Sequence, residues 1–416
     1  MLLKQQQSFH IVGKQNDAWS LVLQAVTDHH KVHRIGRQDR QLDHIDKDLY
    51  TTSSANTSIF RYPPTFPFPS PADIGKINST YHVMAADLEP TASIGQGSIN
   101  AENWRAYIGK TDMYRGFVEF FDRELASRGV ESVFEVYFPS LLDGCLGSHS
   151  VSLAHIAFGL ENSLPNMISE GMAHICTTYL DTSDILSVPS TTGMKCDEVL
   201  DMIHYDQRFD GRLSLHFVNN VKLLLNSRRD LLRTYMNYMQ TTPKNITEAQ
   251  SEIQELVQLA IVLMQTPANT TIFSQSPPRS PTNSDMNTSF QSSHSVMSGS
   301  LLSSAIAVNR IIPYVNSIEL VQRLLSFQRL STICTYIIQG RTPIQYSYAE
   351  PTKTLEECKY AILRSGNIQA GITLCDLDYA HSLDIIDSDC FLSMANLVSD
   401  GEHAQRPFPK KSYSWS

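Results

Sequence analysis

Apolar side chains recur three and four positions apart over most of this chain from Asn103 onward, the spacing that gathers them on one face of a helix. Thr111 stands where a helix cap is expected, ahead of a stripe of Met113, Phe117, Phe120, Phe121 and Leu125, and Gly129 ends that stripe. A second helix is expected over Ser132–Leu142. Gly144 and Gly147 then break the chain before an apolar helix from about Ser150 to Asn162. Ser163 as cap and Pro165 in the first turn open the next, through Ile168, Met172 and Ile175. Further helices fit Cys196–His204, Leu213–Met239 and Thr247–Met264, the last starting on a capping-box pattern, Thr247-Glu-Ala-Gln250. Helical patterning resumes over Leu301–Val315 and Ser317–Ile338. Two-residue alternation is scarce, and no repeat unit is visible. The expectation is a mostly α fold, a single large helical domain with long Pro/Ser-rich loops.

The remaining segments read differently. Residues 1–50 are polar and weakly patterned, with one helical cluster around Ala18–Val26. Residues 51–102 contain RYPPTFPFPSPAD, and prolines that dense exclude a helix or a central strand, so an extended strap is expected. The helical core divides into 103–264 and 301–416, which together make one domain. Between the halves, residues 265–300 are rich in Ser, Thr, Asn and Pro and read as a flexible insertion. Its Ser276-Pro and Ser280-Pro pairs are possible phosphorylation sites.

Composition acts mainly by exclusion. With 42% hydrophobic and 18% charged residues the chain is globular, and a net charge of −9 gives no nucleic-acid-binding surface. Seven cysteines include no CxxC pair, and the odd number fits reduced thiols in a cytoplasmic protein. The first residues lack the apolar stretch of a signal peptide, and no run is long enough to cross a membrane. On that reading the Asn-X-Ser/Thr sites at Asn56, Asn78, Asn245, Asn269 and Asn287 are chance matches.

Four loose motifs occur in order. Asn103-Trp104 leads into Tyr114, Phe117, Phe120-Phe121 and Glu124. Gly147 precedes Leu153-Ala-His155-Ile-Ala-Phe158-Gly159-Leu-Glu161. Ile203-His-Tyr-Asp206-Gln-Arg208-Phe209-Asp210-Gly211 follows. Phe290-Gln-Ser-Ser-His294-Ser-Val296 then leads to Ile312-Pro313-Tyr314. This series resembles the questin oxidase-like family, oxidoreductases acting on aromatic polyketides, over roughly residues 81–340.

The resemblance implies oxygen insertion or ring cleavage on an aromatic polyketide or quinone, with NADPH as reductant. It also implies a non-haem iron site. The candidate metal ligands are His30, His33, His155, His294 and His403, because imidazoles suit an iron with open positions for O₂. No Gly-rich dinucleotide fingerprint accompanies them; Gly95-Gln-Gly97 is too short. His155 can be a hydrogen-bonded core residue, and His30 and His33 belong to a basic stretch. The aromatic set Tyr107, Tyr114, Phe117, Phe120 and Phe121 can line a flat pocket, though helix packing is the simpler use. Two positions depart from the family pattern. Val151 stands where a second histidine is expected, and Arg406 replaces a lysine; arginine stays cationic and cannot ligate a metal. The alternative is therefore a catalytically degenerate helical member acting as a scaffold or small-molecule binder.

Overall fold

A computed structural model describes residues 99–148, 151–186, 193–210, 217–239, 243–266, 300–365 and 367–400. They lie in the larger of two units into which the chain divides, residues 73–416. The expected helix around Ala18–Val26, nearly all of the strap and most of the 265–300 insertion fall outside the described residues. Among the described residues the regular structure is helical and no strand forms, as the patterning predicts.

Two 3-10 turns, Trp104–Tyr107 and Thr111–Met113, lead into α1 (Tyr114–Leu142). Thr111 thus starts a turn instead of capping the helix, and Met113 takes the cap position without a side-chain bond. Gly129, at φ 78° and ψ 166°, breaks α1 into the two expected segments without a loop between them. Glycine alone enters that conformation cheaply.

Next come α2 (Val151–Glu161) and α3 (Pro165–Thr178), which fold back on each other through a three-residue connection. Gly171 lies against Ile156 and the Ser152 carbonyl, where an added methyl carbon would sit 2.7 Å from both. Ser163 is not the cap of α3. It adopts a left-handed φ of 53° at the end of α2, and Leu164 occupies the cap position ahead of Pro165.

Short α4 (Ser183–Leu186) and α5 (Cys196–Tyr205) precede a pair, α6 (Phe217–Ser227) and α7 (Arg229–Met239), where one helix was expected. The break falls where the Ser227 hydroxyl turns back to the Leu223 carbonyl and Arg228 reaches away to the carbonyl of Arg208. α8 (Ile246–Gln265) is capped two residues earlier than the pattern predicts. Asn245 accepts from the Glu248 backbone amide, and the Glu248 carboxylate accepts from the Lys244 backbone amide.

Helix α9 covers residues 300–311 and runs into a 3-10 turn at Ile312–Tyr314. Ser317 caps α10 (Ile318–Ile338), accepting from the Leu320 amide. The chain then forms α11 (Leu355–Ser365), α12 (Ile368–Ser382) and α13 (Ser388–Ser399). α10 is the central helix. Every residue from Leu324 to Ile338 is buried, and α1, α4, α5, α6, α7 and α8 all pack on it. Three of its buried hydroxyls are satisfied within the helix: Ser326, Thr332 and Thr335 each donate to the carbonyl four residues back. Buried Arg329 pairs with Glu252 of α8. α11 and α12 both pack on α13, which also touches α8.

Candidate functional site

Most of the motif residues turn out to build the frame. Trp104, Phe117, Phe120 and Phe121 are fully buried, and Tyr137 packs edge-on against Trp104, Phe120 and Phe121 at 5.4–5.6 Å. The Tyr137 hydroxyl donates to Glu124 at 2.7 Å. Phe117, Phe120 and Phe121 are therefore helix packing and not the lining of a pocket.

The Asp206–Asp210 element is equally structural. Asp206 accepts from the Arg208 guanidinium and from the Tyr235 hydroxyl, and the arginine holds its carboxyl well below the usual range. Arg341, in a left-handed φ of 55° just after α10, donates to the carbonyls of Ile203 and Asp206 and pairs with Asp210. The element locks α5 to the end of the central helix.

Of the five nominated metal ligands, His155 alone is described; His30, His33, His294 and His403 lie outside the described residues, as does Arg406. His155 is a half-buried residue in the middle of α2, and Val151 is exposed in the first turn. The other described histidines stand apart. His204 Nδ1 lies 2.5 Å from the Arg341 carbonyl oxygen. His381 stacks on Phe391 and lies 3.1 Å from the Ser388 hydroxyl. Burial keeps the His174 imidazole below its ordinary pKa. Among the described residues no three His, Cys, Asp or Glu side chains come together as metal ligands. The described part does not by itself fit an iron centre.

Ionisable groups do converge elsewhere, along the seam where α2, α9 and α12 supply facing side chains. At its centre is Arg310, from the last turn of α9. Its Cζ lies 4.1 Å from the ring centre of Tyr379 of α12. Its Nε is 3.6 Å from Glu161 at the end of α2, an ion pair too long for a hydrogen bond. That Nε is buried and makes no hydrogen bond among the described residues.

One turn before Tyr379, Asp376 is buried and accepts from the Ser303 hydroxyl at 2.5 Å. Ser303 and Arg310 are seven residues apart, hence on one face of α9. Burial pushes the Asp376 carboxyl up to about 6, with Ser303 and Arg310 opposing. Burial also raises Glu161, against the pull of Arg310. Cys375 is pushed up to about 12 by burial and by Asp376.

Tyr314, in the turn after α9, is raised by burial and by the charge of Glu161. It also lines an open groove of about 370 Å³ with Phe134, Pro139, Leu320 and Arg323 and with the carboxylates Glu135 and Glu319. That size lies at the lower end of small-molecule pockets. Of these seam side chains only Tyr314 lines that groove, and the titratable groups driven from their ordinary values mark the seam as the candidate site.

Arg310, Asp376 and Tyr379 escape a reading directed at histidines. Their signal was nevertheless present: a lone arginine in the apolar run LLSSAIAVNRII, and acids in ITLCDLDYA. A charge inside a run that must be buried needs a partner or a task.

The fold and the seam define an all-α protein that draws ionisable side chains together between helices, beside an aromatic-walled groove. The sequence places it more closely. Residues 70–383 match the questin oxidase-like family, so the chain belongs to that family. The matched region contains every residue of the seam. The chain is also similar to a protein named questin oxidase from Aspergillus terreus (strain NIH 2624 / FGSC A1156), 31% identical over 87 residues. That match covers 18% of this chain and 19% of the relative. No helix of the described residues is long and apolar enough to cross a membrane.

Proposed function

We propose that this protein is an oxidoreductase that inserts oxygen into, or cleaves, a ring of an aromatic polyketide or quinone bound at the α2–α9–α12 seam. The single observation that carries the site assignment is Arg310. A half-buried guanidinium over a tyrosine ring, with a loose ion pair and a buried Nε that makes no hydrogen bond among the described residues, keeps a donor that a structural arginine would have spent. The groove at Tyr314 offers a flat ring the side chains of Phe134, Pro139, Val315 and Leu320, with Glu135, Glu319 and Arg323 as its charged lining.

Insertion beside a ketone balances as ketone, O₂, reduced nicotinamide and a proton giving ester, oxidised nicotinamide and water. NADPH supplies the electrons for the second oxygen atom in this reading, and it enters through the family relationship alone. The described residues offer it no glycine-rich phosphate cradle, so none is assigned to it. The chain's own contribution is to bind and orient the ring, exclude water at the buried seam, and hold charge and protons at Arg310, Asp376 and Tyr379.

The test is a panel of hydroxyanthraquinones incubated with purified protein, NADPH and air, following nicotinamide absorbance and O₂ uptake together. Substrate-dependent consumption of both supports the reading, and consumption of neither across the panel contradicts it. Exposed Val151, where the family pattern carries a histidine, favours a second reading in which the seam binds such rings without turning them over.

A further inference from the structure

We infer that the notch between the irregular run after α10 and the start of α13 receives a segment of this same chain, residues 406–411, whose Lys410 and Lys411 pair with the carboxylates of Glu350, Asp387 and Asp389. This docking is independent of the activity proposed above.

The notch has a volume of about 360 Å³. It is lined by Tyr348, Glu350 and Pro351 of the run and by Asp387, Asp389 and Cys390 at the start of α13. All three acids are exposed and form no ion pair among the described residues. The lysines that follow the run are already taken, Lys353 by Asp400 and Lys359 by Glu356. Asp387 accepts from the Cys390 amide as the cap of α13, and the helix terminus offsets only part of one charge. The unspent charge of the notch is therefore negative. Tyr348 is 40% exposed and bonded through its hydroxyl to the Cys390 thiol, so its ring is fixed yet open to a partner.

Charge and reach together select the occupant. Residues 401–416, GEHAQRPFPKKSYSWS, follow α13 and lie outside the described residues. They carry Arg406, Lys410 and Lys411, and Pro407-Phe408-Pro409 between them supplies apolar surface for Tyr348 and Pro351. They leave from Asp400, which Lys353 holds at 2.5 Å. The run lies along α13 from its first turn to its last. Tyr348 meets Cys390, Ser393 donates to the Ala349 carbonyl, and Asn396 pairs with the backbone of Lys353. The notch is thus one helix length from the departure point, about 18 Å for the 12 residues of α13. At about 3.3 Å per residue Arg406 reaches that far only with the chain fully extended, whereas Lys410 and Lys411 reach it with slack. The lysines are the anchors. Exposed ion pairs are individually weak, but a short tether sets a local concentration in the millimolar range, where weak pairs suffice.

The test treats the full chain with a carbodiimide, which joins an amine to a carboxylate only where the two touch. An equal mixture of ordinary and isotopically heavy protein is used, and cross-links are mapped by mass spectrometry. Lys353–Asp400 and Lys359–Glu356 serve as internal controls. Lys410 and Lys411 should join Glu350, Asp387 or Asp389 within one chain. Control cross-links without these overturn the inference, as do cross-links from the two lysines to Glu135 or Glu319, or to the notch of a second copy. A variant combining Glu350→Gln, Asp387→Asn and Asp389→Asn keeps the α13 cap, and trypsin should cut it after Lys410 and Lys411 about fivefold faster than its parent. Salt at about 0.5 M should speed cutting of the parent in the same way. Equal cutting of parent and variant overturns the inference, and the cross-link map needs no variant should this one misfold.

Discussion

Replacing Asp376 by asparagine should change how stability depends on pH, and by an amount the structure sets. The side chain is 7% exposed, and burial moves its pKa from 3.8 to about 6. Between these values the folded protein holds a proton that the unfolded chain has lost. Stability therefore falls as pH rises through that window, and the full penalty is present above it. A shift of about two units at roughly 1.4 kcal/mol per unit gives a penalty of about 3 kcal/mol. Asparagine cannot ionise, and its amide still meets Ser303. Any fixed cost of the amide is the same at every pH and drops out of the comparison. Urea denaturation of both proteins from about pH 4 to pH 7 reads the difference in unfolding free energy directly. The variant should gain about 3 kcal/mol relative to the parent across that range. A difference that stays constant with pH would show that Asp376 ionises normally in the fold, and the reasoning about the seam would fail with it.

Three further substitutions test the frame. Asp206→Ala strands the Tyr235 hydroxyl and should cost about 1–2 kcal/mol in urea denaturation, with the Arg208 contact adding little because that side chain is exposed. Because the Asp206 carboxyl is depressed, its contribution is present above about pH 4 and disappears as pH falls below it. Gly147→Ala places a methyl group on the Thr178 carbonyl and should lower the melting temperature by several degrees, whereas Gly371→Ala, with open space around it, should not. Asn245→Ala removes the cap of α8 and should cost about 1 kcal/mol, while Thr247→Ala should be nearly silent.

These tests follow the line between what was legible in the sequence and what was not. The helical period located α2, α3, α8 and α10 to within a few residues, because each buries a wide apolar face. Caps were harder to place. Asn245 outcompeted Thr247, and Ser163 adopted a left-handed turn, because which of several neighbouring polar residues meets a free amide depends on where the preceding chain arrives. The break at Arg228 was hidden, since the apolar period runs through it and a contact to the distant Arg208 carbonyl decides it.

At the site, the motifs named the family correctly, and most of the motif residues that are described build the frame. Trp104, Phe120, Glu124 and Asp206 are fixed by packing and by mutual hydrogen bonds. The seam is assembled from α2, α9 and α12, which are far apart in the chain. Only Glu161 and Tyr314 belonged to a motif, and no local spacing could have joined them to Asp376. The metal-ligand assignment of the histidines is a question for chemical analysis. Protein loaded with Fe(II) should hold the metal through His155 if that set is right, and metal content unchanged in His155→Ala would remove His155 from it.

The central claim, that the seam carries out oxygen chemistry on an aromatic ring, is tested most directly with isotopically heavy O₂. Wild-type protein, NADPH and the hydroxyanthraquinone panel are incubated under the labelled gas, and products are weighed by mass spectrometry, with Arg310→Gln in parallel. The account predicts a product carrying one labelled oxygen atom, formed in step with NADPH oxidation by the wild type and lost in the variant. Label-free products, or labelled product formed equally well by Arg310→Gln, would contradict it.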